Sequence, residues 1–193
     1  MLKKTYEWLM RLSAGKQAPY ALAAVSFAES SFFPIPPDIM LVPMVLADRS
    51  KAWWFATVAT VSSVIGGLAG YAIGYYLLDT IGKPIINFYG LAAKFDQAAI
   101  WFNDWGWQIL IAKGMTPIPY KLLTITAGMV HMNLATFVSA SIVARAMRFF
   151  LVAGLLYCFG EPVRTFIEKR LVLVTSVVAV SIVGGFVALK LLM

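Results

Sequence analysis

The sequence predicts an all-α integral membrane protein made of two inverted repeats. Each repeat is a re-entrant broken-helix hairpin followed by a crossing helix, and an additional transmembrane helix stands at the C-terminus. Three observations carry that expectation. The chain of 193 residues is 61% hydrophobic and only 13% charged, too little polar surface to coat a soluble globule. The tripeptide Pro-Ile-Pro occurs twice in apolar surroundings, at Pro34-Ile35-Pro36 and at Pro117-Ile118-Pro119, an offset of 83 positions. At that offset Asp38 aligns with Lys121, so each copy follows its prolines with one charge, of opposite sign. A proline removes a backbone donor and pushes the preceding residue out of the α region, so both apolar segments must break where their charges sit.

The elements follow in order within a single membrane domain spanning residues 1–193. Residues 1–16 read as an amphipathic surface helix, with Tyr6, Leu9, Met10 and Leu12 set against Lys3, Lys4, Glu7 and Arg11. They lack the continuous apolar stretch and the small-residue cleavage site of a signal peptide. Residues 18–80 form the first repeat: a segment broken at Pro34, Pro36 and Pro37, then a crossing over residues 53–78. Residues 81–104 form an interfacial connection, where Trp101 begins a run of tryptophans continued by Trp105 and Trp107. Residues 105–160 form the second repeat, broken at Pro117 and Pro119 and crossing over residues 134–160. Residues 165–193 carry the C-terminal transmembrane helix. Phe159-Gly160-Glu161-Pro162 echoes Ile81-Gly82-Lys83-Pro84 and strengthens the case for duplication.

The net charge of +7 is distributed as a topology signal and not as a nucleic-acid site. Lys3, Lys4, Arg11, Lys16, Arg49, Lys51, Arg164, Lys169 and Arg170 fall on one side of this arrangement, and Lys83, Lys94 and Lys190 on the other. The positive-inside rule then puts the N-terminus in the cytoplasm. One crossing per repeat inverts the second copy relative to the first. If each proline pair instead only kinked a complete spanning helix, Arg49 and Lys51 would lie opposite the basic N-terminus and weaken the charge bias.

The charges within the apolar zone carry the chemistry. Glu29 and Asp38 flank the first break, Lys113 and Lys121 the second, and Arg145 and Arg148 share one helix face. An ionisable group at such depth costs about 2.5 to 3.5 kcal/mol, so each needs a partner or water. Four cations outnumber two carboxylates, and a polar cavity with that excess suits an anion such as a lipid phosphate. Lys113, Lys121, Arg145 and Arg148 would hold it, while Glu29 and Asp38 balance the empty site or take up protons. A salt-bridge network that only fixes the fold is the alternative these residues leave open. Gly66, Gly70 and Gly74 recur at helical spacing and permit close helix approach, within the chain or between the protomers of a homodimer. The sole cysteine, Cys158, excludes an intrachain disulfide and reads as core filler, and His131 reads as part of an interfacial turn. With no Ser/His/Asp set, CxxC pair or HExxH motif, no enzyme activity, cofactor or metal is expected.

Glu29-Ser30-Ser31-Phe32-Phe33-Pro34-Ile35-Pro36-Pro37-Asp38, the glycine run from Gly66 to Gly74, and the basic, proline-containing segment ending at Ala127-Gly128 resemble the DedA family. This is the SNARE-associated Golgi or VTT-domain superfamily, and the resemblance covers roughly residues 20–160. It implies an inverted pair of re-entrant hairpins and a role in moving lipids: undecaprenyl phosphate recycling in bacterial members, phospholipid scrambling in eukaryotic relatives. Glu29 and Asp38 match the family's acidic pair. The second motif departs, with Lys113, Pro117, Pro119 and Lys121 where the family usually has two arginines around one proline and a glycine. The expectation is a flippase or scramblase of the bacterial inner membrane, proton-coupled or passive, whose partners are lipids with anionic headgroups. The rivals are a proton-coupled ion or small-solute carrier and a non-transporting scaffold.

Overall fold

The computed structural model describes Gly15 and residues 17–32, 36–88, 92–114 and 120–169. The rest of the 1–16 segment, Pro34, Pro117, Pro119, residues 170–193 and the side chain of Lys113 lie outside the described residues. The helices are α1 (Ala18–Ser31), α2 (Asp38–Ala47), α3 (Ala52–Leu77), α4 (Lys83–Phe88), α5 (Ala92–Gly114), α6 (Tyr120–Met129) and α7 (Leu134–Lys169). A single 3₁₀ turn (Arg49–Lys51) and a π turn (Leu78–Gly82) flank α3. Among the described residues there is no strand.

Proline sets several of these boundaries. α1 begins with a proline in its first turn, where the missing N–H would be unpaired in any case. It ends at Phe32, whose backbone has left the helical region. Pro36 and Pro37 then redirect the chain, Pro37 serving as the N-cap of α2. At 14 and 10 residues, α1 and α2 are each too short to cross the ~30 Å hydrocarbon core. Two described helices are long and apolar enough to do so, over Arg49–Thr80 and Leu134–Gly160. α7 continues to Lys169, but Phe159 is non-helical because Pro162 has no N–H for the carbonyl four residues earlier and its ring crowds that turn. α5 runs unbroken through residue 105, where the sequence places the start of the second repeat.

Residue contacts fix the helix directions. Trp53 at the start of α3 packs on Phe150 and Tyr157 late in α7, and Tyr71 towards the end of α3 packs on Phe137 early in α7, so these two helices are antiparallel. α1 runs with α3, since Phe27 meets Gly66 and Ser30 meets Gly70. α5 runs with α7, since Trp107 donates to Ser139 and Gly114 abuts Ala144. Helix ends recur along the chain. α1 and α5 stop at Ser31 and Gly114, α2 and α6 each have ten residues, and α3 and α7 start at Ala52 and Leu134.

A stripe of small residues on α3 holds the molecule together. Ala52, Ala56, Ala59, Ser63, Gly66, Gly70 and Gly74 are all buried, and the sequence reading caught only its glycine end. A Cβ on Gly66 would strike the backbone carbonyl of Phe27 in α1, and one on Gly74 the carbonyl of Ile125 in α6. Gly128 of α6 returns the contact against the carbonyl of Tyr71. Of the two roles open to the glycines, the structure uses them for packing within the chain. Apolar clusters close the two ends. One joins Leu22, Leu41, Met44, Phe55 and Phe149, the other Leu110, Leu123, Ala127 and Phe137.

Gly74→Ala and Gly128→Ala force a Cβ into backbone, and each should cost about 1 to 3 kcal/mol. Gly154→Ala meets only the Trp53 ring at 3.4 Å and should be neutral or stabilising. Thermal unfolding in detergent checks this, and a Gly74→Ala protein that melts like wild type contradicts the packing.

Candidate functional site

A polar layer lies between the two apolar clusters, part-way along the two long apolar helices α3 and α7. α1 contributes Ser26, Glu29 and Ser30, which helical spacing places on one face. α3 contributes Ser63, the start of α6 contributes Tyr120 and Thr124, and α7 contributes Ser141, Arg145 and Arg148.

Arg145 is 1% exposed, so its charge must be neutralised within the protein. Its Nη2 donates to Glu29 Oε2 at 2.7 Å and its Nε to Ser63 Oγ at 2.5 Å. The guanidinium also lies against the rings of Tyr120 and Phe149, 4.6 and 4.7 Å from their centroids. Since Ser63 accepts from Arg145 and Ser30 donates to Glu29 Oε2, the 2.6 Å contact between the two hydroxyls must run from Ser63 to Ser30. The result is a closed ring of hydrogen bonds through α1, α3 and α7.

The broken helix ends complete one another. Glu29 Oε1 accepts the backbone N–H of Tyr120, the first residue of α6, at 3.2 Å. A carboxylate there satisfies an unpaired helix-terminal donor and complements the helix dipole. In return, Lys121 Nζ donates to the carbonyl oxygen of Phe32, at the C-terminal end of α1, at 3.3 Å. Thr124 donates to the Ser30 carbonyl at 3.0 Å, and the Tyr120 hydroxyl to Ser141 at 2.8 Å.

A second ion pair sits beside the first and differs from it. Arg148 Nη2 donates to Asp38 Oδ2 at 2.6 Å, with the two side chains 23% and 27% exposed. Asp38 Oδ1 is buried and accepts no hydrogen bond. On the same helix face of α7, one pair is therefore closed and satisfied while its neighbour is half-open and only partly satisfied.

The sequence set Glu29 and Asp38 around one hairpin tip; the structure gives each its own arginine. Both arginines, read as part of an excess of positive charge, have a carboxylate partner. Lys121 lies near the pairs and bonds to backbone. Ser30, Ser63, Tyr120, Thr124 and Ser141 escaped the sequence reading. The available signal was hydroxyls within apolar helices, one turn from a charge or from a small-residue stripe. His131 occupies the turn between α6 and α7, as the sequence implied, with a left-handed φ of 53° and its ring stacked on Tyr75.

A search against protein families matches residues 35–158 to the VTT domain. The chain is 39% identical over 188 residues to an uncharacterized protein of Haemophilus influenzae, covering 97% of this chain and 95% of that one. It is 36% identical over 179 residues to an uncharacterized protein of Histophilus somni, covering 92% and 93%. No solved structure matches.

The two ion pairs should respond differently to mutation. Glu29→Gln and Arg145→Met each strand a buried partner and should cost about 3 to 5 kcal/mol, whereas the double variant should cost less than their sum. Asp38→Asn, at the half-open pair, should cost about 1 kcal/mol or less. Melting curves in detergent decide, and equal losses at Glu29 and Asp38 contradict the distinction.

Proposed function

The chain belongs to the VTT-domain family, that of the DedA and SNARE-associated membrane proteins, and on that premise we propose that it is a lipid transporter of the flippase or scramblase type. It carries a phosphate-bearing headgroup, on undecaprenyl phosphate or a phospholipid, between two inverted broken-helix hairpins in the bacterial inner membrane. The recurring helix ends support that architecture, as does the opposed direction of the α1–α3 and α5–α7 pairs. Ala18, Leu46 and Ala52 share one apolar cluster, which favours a hairpin that returns the chain to the side where α1 begins. The basic flanks then make that side cytoplasmic.

The observation that carries the functional reading is the Asp38–Arg148 pair. A purely structural pair at the middle of a spanning helix gains from being buried and saturated, as Glu29–Arg145 is. Asp38–Arg148 is half-open, with one carboxylate oxygen lacking a donor. Exposed Met147 and Leu151 flank Arg148 on α7, and exposed Ile39 adjoins Asp38, so the pair borders lipid-facing surface. A phosphate replaces Asp38 on Arg148, whose planar fork suits it, and Lys121 and Lys113 add charge. Arg145, already satisfied, anchors the floor of the site and leaves the phosphate to Arg148. The displaced Asp38 takes up a proton or another cation, and the hydrocarbon tails stay in the bilayer.

Reconstituted protein should move fluorescent phosphatidylglycerol between leaflets, while Asp38→Asn and Arg148→Gln, folded and monodisperse, should not. Full activity in both variants overturns the assignment. Cysteine labelling in a Cys158→Ala background should find Lys4→Cys and Arg49→Cys on the same side of the membrane; labelling from opposite sides removes the hairpin and with it the inverted repeat.

A further inference from the structure

Among the described residues, two buried side-chain polar atoms lack a hydrogen-bond partner: the hydroxyl of Ser26 and Oδ1 of Asp38. One is a donor with nothing to donate to, the other an acceptor with nothing to accept. Ser26 is 0% exposed, and the ring through Glu29, Ser30, Ser63 and Arg145 closes without it. A buried hydroxyl without a partner destabilises a fold, so its presence calls for a second state in which the bond is made.

The two atoms stand at one level of the molecule. α1 and α7 run in opposite directions, and the Glu29–Arg145 bond sets their register. Three residues back along α1 and three residues on along α7 each advance about 4.5 Å in the same direction. Both steps keep to one helix face. Ser26 is thereby level with Arg148, whose Nη2 holds Asp38 Oδ2 at 2.6 Å. Beyond that level, Leu22 of α1, Leu41 of α2 and Ala153 of α7 share the apolar cluster that closes this end. α2 packs on α7 and touches α1, so Asp38 stands where the three helices converge.

We infer that Ser26 is a positioning residue for Asp38: its hydroxyl takes the Asp38 carboxyl when a phosphate headgroup takes Arg148. The inference rests on the headgroup exchange proposed above, and it supplies the interior partner which that exchange requires. A hydroxyl serves the displaced group in either protonation state, donating to a carboxylate or accepting from a carboxylic acid. With Asp38 on Arg148 the Ser26 bond is unmade; with phosphate on Arg148 it forms. A bond made only in the second state favours phosphate entry.

The test compares full-length wild-type, Ser26→Ala and Ser26→Thr proteins. Without added lipid, Ser26→Ala should melt at or above the wild-type temperature, because it removes an unpaired hydroxyl and alanine is the better helix former. A clear fall means that the hydroxyl already has a partner, and overturns the inference. Native mass spectrometry should show phosphatidylglycerol binding weakened several-fold in Ser26→Ala and unchanged in Ser26→Thr, which keeps the hydroxyl. If threonine is too large for the site, its melting temperature falls, and a comparison in Asp38→Ala protein carries the decision. With no carboxyl to receive, Ser26→Ala should there change binding no further. Equal affinity in Ser26→Ala and wild type, or the same loss with and without the Asp38 carboxyl, overturns the inference. A second comparison needs no lipid. Arg148→Gln releases Asp38 to Ser26, so adding Ser26→Ala should lower the melting temperature by several degrees in that background alone; the same effect in both backgrounds overturns the inference. If wild-type protein binds no phosphatidylglycerol, the transport reading fails, while the Arg148→Gln comparison still decides whether Ser26 receives Asp38. If Arg148→Gln does not fold, the lipid-free melting of Ser26→Ala and the binding measurements decide.

Discussion

The carboxylate of Glu29 is the constraint on which the rest of the structure depends. A helix broken inside a bilayer exposes backbone groups that lipid cannot hydrogen-bond, so every broken end must be completed by protein. Glu29 gives one oxygen to the N-terminus of α6 and the other to Arg145, tying α1, α6 and α7 together through one side chain. Lys121 completes the end of α1 in return. These bonds form only if the helices approach closely enough, and that is set by the small residues of α3. A methyl group at Gly66 or Gly74 would separate α3 from α1 or α6 and stretch the bonds around Glu29. Packing and electrostatics here are one device.

The two arginines of α7 show how a displacement of one turn divides a buried ion pair from a half-open one. Arg145 faces the core between two aromatic rings and is out of reach of solvent and lipid. Arg148, three residues on along the same face, lies at the edge of the packed surface, where its side chain is 23% exposed. Both bind carboxylates at similar distances, 2.7 and 2.6 Å, so bond length does not separate them. Burial does. Breaking the closed pair strands a buried charge, whereas a charge released from the half-open pair is partly exposed.

Much of the fold was legible because its determinants are local. Clustered prolines break a helix, long apolar runs make long apolar helices, and glycine spacing marks a close-packed face, so the breaks, the two long apolar helices and the close contacts at Gly66 and Gly74 could be read directly. The site was less legible because partner choice depends on the register between helices, which no local pattern encodes. Glu29 and Asp38 stand nine positions apart around one break and read as a pair, yet the turn between them sends each to a different arginine. Hydroxyls were passed over because serine in an apolar helix has no periodic signature. Ser63 becomes visible only as the one polar member of a buried small-residue stripe.

Asp38 and Lys121, which follow the two Pro-Ile-Pro segments, carry opposite signs. With opposite signs, each break can use its charge locally. Lys121 favours the carbonyl end of α1, and Asp38 favours a guanidinium on α7. The contact between α1 and α6 is sealed by the Glu29 cap on the Tyr120 N–H and by Lys121 on the Phe32 carbonyl. The charge at one break is held by backbone and the charge at the other by a partly exposed guanidinium, so the two breaks are held together by different chemistry.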